Sequence, residues 1–463
     1  MTEQVLTRTD AAGLRSSFEE LRAREFARLD ECGSVYLDYT GSALYAESHL
    51  RAHEEFLKHH VLGNPHSENP ASTAATRIVD DARRDVLDFF GADPAEYTLV
   101  FAANATAALK LVAESYPFQA GSRFTLLADN HNSVNGIREY AARAGAETIY
   151  LPIDADLRLQ KGARIPPAGS ARSLFAFPAQ SNFSGVRHPL ALVQDAKDLG
   201  YDVLLDAAAY VPTERLDLGS VHPDFTCVSF YKMFGFPTGL GALIARREAL
   251  ARLRRPWFAG GTVDFVSVEG HIHRLLRGAG GFEDGTLNFL GIAALSGGLA
   301  FLREVGMTRA SQRVKALTGR LRAILGGARH PSGAPAVRIY GPTTTDARGG
   351  TVSFNLLDAS GVPVPYGDVE RAASVHGIAL RGGCFCNPGA AERALELPTD
   401  AMLDCLETIP QKSFNLKALA DCLGGSIAVG AMRASVSLPT VEADLDRLDA
   451  FLTGYWQPQT ETP

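Results

Sequence analysis

The sequence predicts an α/β protein with a large domain built on a mostly parallel central sheet, joined to a smaller α+β domain. From about residue 98, short apolar runs alternate with helix-length segments, which indicates a parallel sheet covered by helices on both faces. After residue 300, fewer helices separate the apolar runs, as is typical of an α+β unit. We expect the large domain to span residues 50–305 and the smaller one to combine residues 1–49 with 306–463.

The individual elements follow from the order of these runs. The strands and helices predicted for the large domain are TLVFAAN, ATAALKLVAESY, RFTLLADN, SVNGIREYAARAG, ETIYLPID, RSLFAFPAQ, PLALVQDAKDLG, DVLLDAAA, DFTCVSF and GALIAR. A long amphipathic helix is predicted next over RASQRVKALTGRLRAIL, followed by a stretch rich in Gly and Pro up to Pro342. The strands predicted after that stretch are GTVSFNLLD, GIALRGG and GSIAVGAMRASVSL.

The composition excludes several classes of partner. The chain has 45 Lys and Arg against 52 Asp and Glu, for a formal net charge of −7, and it has no basic block of the kind that neutralises nucleic-acid phosphates. The N-terminus shows no secretory signal, and the best membrane candidate, residues 289–302, is too short to cross a bilayer. We therefore expect no nucleic acid, no membrane and a cytoplasmic location. The six cysteines are then expected as reduced thiols rather than a disulfide framework.

Polar side chains follow the predicted strands, at the edge where open parallel sheets bind ligands. These candidate site residues are Asn104, Thr106, His131, Gln180, Asn182, Asp206, Ser229, Tyr231 and Lys232. A desolvated lysine has a depressed pKa and forms Schiff bases, which is what pyridoxal phosphate requires. A buried carboxylate suits the protonated pyridinium nitrogen, and hydroxyls at a helix start suit the phosphate.

Each of these residues, taken alone, also has a purely structural interpretation. Lys232 is compatible with a surface lysine whose stem is buried, and Asp206 and Thr106 with positions at helix starts. His131 is compatible with a core histidine. Their joint occurrence at successive strand ends favours a cofactor site.

Longer motifs carry a resemblance to class V pyridoxal-phosphate enzymes of fold type I, the cysteine desulfurases. The chain most closely resembles the amino-terminal sulfurase domain of molybdenum cofactor sulfurases. The motifs occupy residues 35–390 in family order, and they are VYLDYTGSALY, GNPHS, DNHNSVNGIREYA, FAFPAQSNFSGVRHPL, LLDAAAYVPTERLDL, SFYKMFGFPTGLG, FEDGTLNFL and LRGGCFCNPGA.

The resemblance implies roles for the residues around the cofactor. Lys232 matches the lysine that bonds to the cofactor and moves the α-proton of the substrate. Asp206 matches the partner of the pyridinium nitrogen, and His131 matches the imidazole stacked on the ring. Thr106 and Ser229 match phosphate ligands.

The resemblance also implies a substrate site and a second subunit. Asn182 matches an asparagine near the substrate carboxylate and the ring hydroxyl. Arg433 matches the arginine that clamps the α-carboxylate through two parallel hydrogen bonds, and Arg381 matches another substrate-side arginine. Thr286 matches a residue that reaches the phosphate of the partner subunit's cofactor, which implies a homodimer with shared active sites.

Two positions depart from the general desulfurase pattern. Ala209 stands where those enzymes have a glutamine on the ring oxygen, and we hypothesise that Gln180 supplies the missing donor. Tyr231 stands where they have a histidine, so a phenol would replace an imidazole at the phosphate. Both departures resemble the sulfurase branch.

Two cysteines lie in the segment RGGCFCNPG. Counting from Arg381, the desulfurase nucleophile falls on Cys386, and Cys384 remains a possible second thiol. Glycines on both sides predict a loop that swings, as a sulfur carrier requires. Half of a zinc site and a pair of inert buried thiols are the alternatives.

The function implied by the resemblance is removal of sulfur from L-cysteine, which gives L-alanine and a persulfide on Cys386. Complete molybdenum cofactor sulfurases carry a further C-terminal module, and this sequence stops at Pro463. We therefore expect the sulfur acceptor to be a separate protein or a small molecule. The alternatives are a class V C–S lyase, aminotransferase or epimerase acting on another amino acid, and a non-catalytic scaffold on the same fold.

Overall fold

A computed structural model describes residues 8–425 and 427–456; residues 1–7, Ser426 in the predicted strand GSIAVGAMRASVSL, and residues 457–463 lie outside it. The strands are β1 (Val35–Tyr36), β2 (Tyr97–Ala102), β3 (Arg123–Leu127), β4 (Glu147–Leu151), β5 (Ser173–Pro178), β6 (Tyr201–Asp206), β7 (Phe225–Ser229), β8 (Gly241–Arg246), β9 (Val263–Ser267), β10 (Ile272–Leu275), β11 (Val337–Tyr340), β12 (Thr351–Leu356), β13 (Ile378–Ala379), β14 (Arg381–Gly383) and β15 (Ala431–Ser435).

The α-helices of the described residues lie between and around these strands. They are α1 (Arg8–Glu25), α2 (Arg28–Glu31), α3 (Glu47–His59), α4 (Pro70–Phe89), α5 (Ala105–Ser115), α6 (Asn132–Asn135), α7 (Ile137–Arg143), α8 (Leu192–Asp198), α9 (Phe230–Phe234), α10 (Arg247–Arg252), α11 (Phe289–Ile292), α12 (Leu295–Val305), α13 (Met307–Gly327), α14 (Tyr366–Val375), α15 (Pro388–Ala394), α16 (Thr399–Thr408), α17 (Leu416–Cys422) and α18 (Glu442–Tyr455).

The central sheet has seven strands in the order β2-β8-β7-β6-β5-β3-β4. All neighbouring pairs are parallel except those made by β8, which runs antiparallel to both β2 and β7. Alternate residues of β5 enter two separate cores, with Phe175 and Phe177 in one and Leu174 and Ala176 in the other. The sheet is therefore buried on both faces, and the prediction of a mostly parallel α/β fold is confirmed.

A second, antiparallel sheet has the order β11-β12-β15-β14. The sequence predicts one strand over GIALRGG, but the structure divides it into β13 and β14. β13 pairs with the N-terminal β1, whereas β14 pairs with β15. The chain around residue 38 thereby reaches the second sheet, where Asp38 makes a parallel bridge to Ser435.

Two predicted helices can be compared directly with the structure. The helix predicted over RASQRVKALTGRLRAIL is α13, whereas the one predicted over SVNGIREYAARAG is divided at Gly136 into α6 and α7. Among the described residues, no single helix is long and apolar enough to cross a membrane. One pair of consecutive helical segments, residues 289–305 and α13, is long and apolar enough when taken together, but the two segments are bent by 69° relative to each other.

The expectation that all cysteines are reduced thiols is wrong for two of them. Cys405 in α16 and Cys422 in α17 form a disulfide, with Cα atoms 6.0 Å apart. The pairing depends on how the two helices pack against each other, which the spacing of the cysteines does not reveal. The other four cysteines are free thiols, and they are Cys32, Cys227, Cys384 and Cys386.

Candidate active site

A cleft of about 130 Å³ opens at the carboxyl ends of the parallel strands. Nine of the side chains predicted at strand ends line this one cleft, namely Asn104, Thr106, His131, Gln180, Asn182, Asp206, Ser229, Tyr231 and Lys232. Parallel strands end at the same edge of a sheet, so residues that are far apart in sequence meet there.

Lys232 lies in α9, the short helix that follows β7 directly, and burial lowers the pKa of its amine. The carboxylate of Asp206, at the end of β6, opposes part of this shift. No described side chain forms an ion pair or hydrogen bond with Nζ of Lys232. The backbone N–H of Ala208 donates to Oδ1 of Asp206 over 3.0 Å and so orients the carboxylate. The cleft therefore contains the Lys232 amine, which has no hydrogen-bond partner among the described residues, and the Asp206 carboxylate, which is held in place by a backbone N–H.

The backbone of His131 sits at the start of α6, where Nδ1 accepts a hydrogen bond from the N–H of Ser133 over 3.1 Å. A nitrogen that accepts from a backbone N–H carries no proton, so the neutral ring holds its proton on Nε2. Burial lowers the pKa of His131 and favours this neutral form. The sequence reasoning missed Ser133, although it lies only two residues beyond His131.

Hydroxyl groups surround the start of α5, at the end of the cleft suited to a phosphate. Asn104 caps α5 with its side chain, and the hydroxyl of Ser229 accepts from the N–H of Ala105 over 2.9 Å. Oγ1 of Thr106 lies 2.8 Å from Oγ of Ser133. Hydroxyls and backbone N–H groups at a helix start are the donors that an anion requires.

Gln180 and Ala209 are neighbours in the cleft. Nε2 of Gln180 donates to the carbonyl oxygen of Ala209 over 2.8 Å, and its Oε1 accepts from Nε of Arg187 over 3.2 Å. Gln180 therefore lies beside the position where general desulfurases have a glutamine. Its role as a donor to the cofactor stays a prediction.

The two arginines predicted on the substrate side share a carboxylate that the sequence analysis missed. Asp38 accepts from Nε of Arg381 over 2.8 Å and from Arg433 over 2.9 Å. Arg433 is buried, and burial lowers its pKa while Asp38 opposes the shift. The Nε of Arg433 has no hydrogen-bond partner among the described residues. The only sequence signal for Asp38 was its place in the motif VYLDYTG.

Cys386 is exposed, whereas Cys384 is half-buried with its pKa raised by burial. The turn that carries Cys386 borders the cleft, because Nδ2 of Asn182, which lines the cleft, donates to the carbonyl oxygen of Phe385 over 2.6 Å. The glycines beside these cysteines lie in regular elements, and the swing of the segment stays a prediction. Gly383 is paired within β14, and Gly389 lies in the first turn of α15, so the connection between the two elements is only a tight turn.

Thr286 lies outside the cleft that contains Lys232. It lines a separate cleft of about 350 Å³ together with Lys110 and Asp284, and its hydroxyl accepts from Nδ2 of Asn64 over 3.2 Å. Within one chain, the structure does not bring Thr286 to the other predicted phosphate ligands.

The donor set of the cleft fits pyridoxal phosphate. Lys232 supplies an amine without a protein partner, and Asp206 supplies a buried carboxylate for a ring nitrogen. The neutral imidazole of His131 suits stacking on an aromatic ring, and the hydroxyls near α5 suit a phosphate.

The chain is similar in sequence to proteins of a known family. The family model described as aminotransferase class-V matches residues 35–448. The chain is 40% identical to a molybdenum cofactor sulfurase of Bos taurus over 405 residues. This match covers 82% of the present chain and 46% of the bovine protein. The chain is 37% identical over 429 residues to a molybdenum cofactor sulfurase of Arabidopsis thaliana, which covers 82% of this chain and 52% of that relative. The chain therefore spans about half the length of the relatives it matches.

Solved structures share the fold. A cysteine desulfurase from Thermococcus onnurineus superposes with a TM-score of 0.75 at 24% identity, covering 94% of this chain and 97% of the other. A cysteine desulfurase from Escherichia coli gives a TM-score of 0.71 at 24% identity, with the same coverage.

Proposed function

The chain belongs to the aminotransferase class-V family, and from that premise we propose that it is a pyridoxal-phosphate-dependent cysteine desulfurase. In this proposal it takes sulfur from L-cysteine, releases L-alanine and holds the sulfur as a persulfide on Cys386. The observation that carries the proposal is one cleft that combines the amine of Lys232 with the carboxylate of Asp206 and is bordered by the turn of the exposed thiol Cys386. The molybdenum cofactor sulfurases that it resembles support the choice of sulfur chemistry.

Binding begins with residues that hold the cofactor and the substrate. Lys232 would bond to pyridoxal phosphate, Asp206 would pair with its ring nitrogen, His131 would stack on the ring, and Thr106 and Ser229 would bind the phosphate. Arg433 receives the substrate carboxylate, since its Nε lacks a partner among the described residues. The cofactor, when bound, withdraws electrons from the α-carbon of the amino acid.

The protein's own groups then move one proton and one sulfur atom. Nζ of Lys232, whose pKa is lowered by burial, accepts the α-proton of L-cysteine. The thiolate of Cys386 attacks the substrate sulfur, a new S–S bond forms, and the C–S bond of the substrate breaks. Protonation of the carbon releases L-alanine, so that L-cysteine and one thiol give L-alanine and one persulfide.

Mass spectrometry of the intact protein after incubation with L-cysteine tests this proposal. We expect one added sulfur atom on Cys386 and an equal amount of L-alanine. Cys386→Ala should keep the bound cofactor but give neither product, and Cys32→Ala, which changes an exposed thiol, is the control. Turnover of an amino acid without sulfur, insensitive to thiol alkylation, would instead favour an aminotransferase or epimerase.

The proposal extends to a sulfur acceptor, a homodimer and a cytoplasmic location. The acceptor is a protein or a small molecule that meets the exposed thiol of Cys386. The position of Thr286 in a cleft away from Lys232 supports a role toward a second subunit. Sedimentation of the holoenzyme tests the dimer, and a monomer with full activity would contradict shared active sites.

A further inference from the structure

A buried polar network lies beneath the cleft and has no part in the chemistry described above. Its centre is Asp129, which is fully buried. Oδ1 of Asp129 accepts from Oγ of Ser181 over 2.8 Å and from Nδ2 of Asn387 over 2.6 Å, and Oδ2 lies 2.9 Å from Nε2 of His188. A buried carboxylate is costly unless it is well bonded, and a fully satisfied network fixes one arrangement of its members.

Asn387 connects this network to the turn that carries the thiol. It follows Cys386 directly in the chain and is fully buried. Its Nδ2 also donates to Oδ1 of Asn182 over 3.0 Å, while its Oδ1 caps α15 by accepting from the N–H of Ala390 over 3.2 Å. One side chain therefore joins the network, the wall of the cleft and the start of α15.

The turn itself is held in an unusual conformation. The N–H of Asn387 donates to the carbonyl oxygen of Cys384 over 3.0 Å and closes a four-residue turn. Its two central residues, Phe385 and Cys386, have φ of 55° and 56°. This left-handed region is unfavourable for residues with side chains, and turns of this kind normally use Asn or Gly. The surrounding contacts must therefore maintain the conformation.

Those contacts come from Asn182 in the wall of the cleft and from the segment around residues 128–132. Nδ2 of Asn182 donates to the carbonyl oxygen of Phe385 over 2.6 Å. The backbone N–H of Asn132 donates to the carbonyl oxygen of Cys386, also over 2.6 Å. A Cβ built on Gly389 would lie 2.2 Å from the carbonyl oxygen of Ala128, so α15 begins in direct contact with the residue before Asp129. The turn is therefore held by hydrogen bonds from Asn182 and Asn132 and, at its C-terminal end, by the packing of α15 against Ala128.

We propose that Asn387 and Asp129 are positioning residues that hold Cys386 beside the cleft containing Lys232. They act through Asn182, which touches both the turn and the cleft. The inference rests on the proposed function for what the thiol does. It adds that the thiol is presented by a pinned turn rather than by a swinging loop, so that sulfur capture depends on residues that never touch the substrate.

The variant Asn387→Ser tests this inference in the holoenzyme. Serine keeps a capping oxygen for α15 but has no amide that reaches Asp129 and Asn182. The matched control is Asn415→Ser, because Asn415 caps α17, which has seven residues like α15. Amide hydrogen exchange across residues 384–387 measures how stably the turn is held. The rate of persulfide formation measures the effect of the turn on sulfur capture.

In Asn387→Ser we expect exchange in the turn to be about ten-fold faster and persulfide formation to be about ten-fold slower or more. The Michaelis constant for L-cysteine should stay within about two-fold of the parent value, and the absorbance of the bound cofactor should not change. Asn415→Ser should alter none of these quantities.

Three outcomes would overturn the inference. These are unchanged exchange in the turn, an unchanged persulfide rate, and loss of cofactor binding in parallel with the persulfide rate, which would indicate general structural damage. If the parent protein forms no persulfide, the proposed function fails, while hydrogen exchange still decides whether Asn387 pins the turn. If Asn387→Ser does not fold, Asn387→Asp keeps the side-chain shape and the cap but opposes Asp129 with a carboxylate, and the same expectations apply.

Discussion

Arg433 donates a hydrogen bond to the carboxylate of Asp38 over 2.9 Å, and both residues are buried. The two positions are 395 residues apart in the chain. The same carboxylate binds Arg381, so one acidic residue near the N-terminus orients both arginines predicted to face the substrate.

Replacing Asp38 should destabilise the protein strongly. In Asp38→Ala the buried guanidinium of Arg433 loses its counter-charge, and breaking a buried pair in this way costs about 3–5 kcal/mol of unfolding free energy. Denaturation with urea measures the change. The matched control is Asp368→Ala, which breaks the exposed pair with Arg371 and should cost less than about 1 kcal/mol. Equal effects of the two substitutions would contradict the structural role of Asp38.

Lys232→Ala should abolish covalent retention of pyridoxal phosphate, because the amine in the cleft is the only group proposed to bond to it. Borohydride reduction followed by peptide mass spectrometry measures the bond. Lys110→Ala is the control, since Lys110 lies on α5 with 66% of its side chain exposed. Reduced cofactor found on another lysine would contradict the assignment.

The pH dependence of cofactor binding should follow the Lys232 pKa. Only the neutral amine reacts with an aldehyde, so in the cofactor-free protein the binding rate falls as the pH drops through this pKa. Asp206 raises the pKa of Lys232 against the effect of burial, and Asp206→Asn should therefore lower it further. In Asp206→Asn the pH at which the rate of cofactor binding falls should therefore be lower than in the parent protein. Initial rates of the absorbance change on cofactor binding, recorded across a pH series, measure this shift.

The control for this experiment is Asp195→Asn, in the first turn of α8. It is exposed and should leave the pH profile in place. A shift of the Asp206→Asn profile to higher pH would show that the carboxylate does not act on the amine as described.

The disulfide between Cys405 and Cys422 should be visible in a count of thiols. Alkylation of the unfolded protein without reductant should modify four cysteines, and all six after reduction. Cys405→Ser should lower the unfolding free energy by up to about 3 kcal/mol, as expected for a short closed loop. Persulfide formation on Cys386 should continue, since Cys386 is not part of this pair. Six modified cysteines without reductant would contradict the disulfide.

Much of the cleft was predictable because its signals are local. Lys232, Asp206 and His131 each follow an apolar run directly, and the carboxyl ends of parallel strands meet at one edge of the sheet. Ser133 was within reach of the same reasoning, since it lies two residues beyond His131. The glycines near Cys386 were ambiguous in the sequence, because a glycine permits a hinge but equally permits close packing, as at Gly389.

The sequence by itself predicted most strands and helices of the central sheet and the amine and carboxylate at the strand ends, which depend on residue type and on neighbours within a few positions. Cys386 was singled out by the family resemblance. Only the tertiary structure decided that Asp38 holds Arg433, that Asp129 and Asn387 pin the turn, and that two of the six cysteines are joined. Hydrogen bonds and disulfides between distant segments depend on distances of a few ångströms, which the packing of the two sheets and their helices sets.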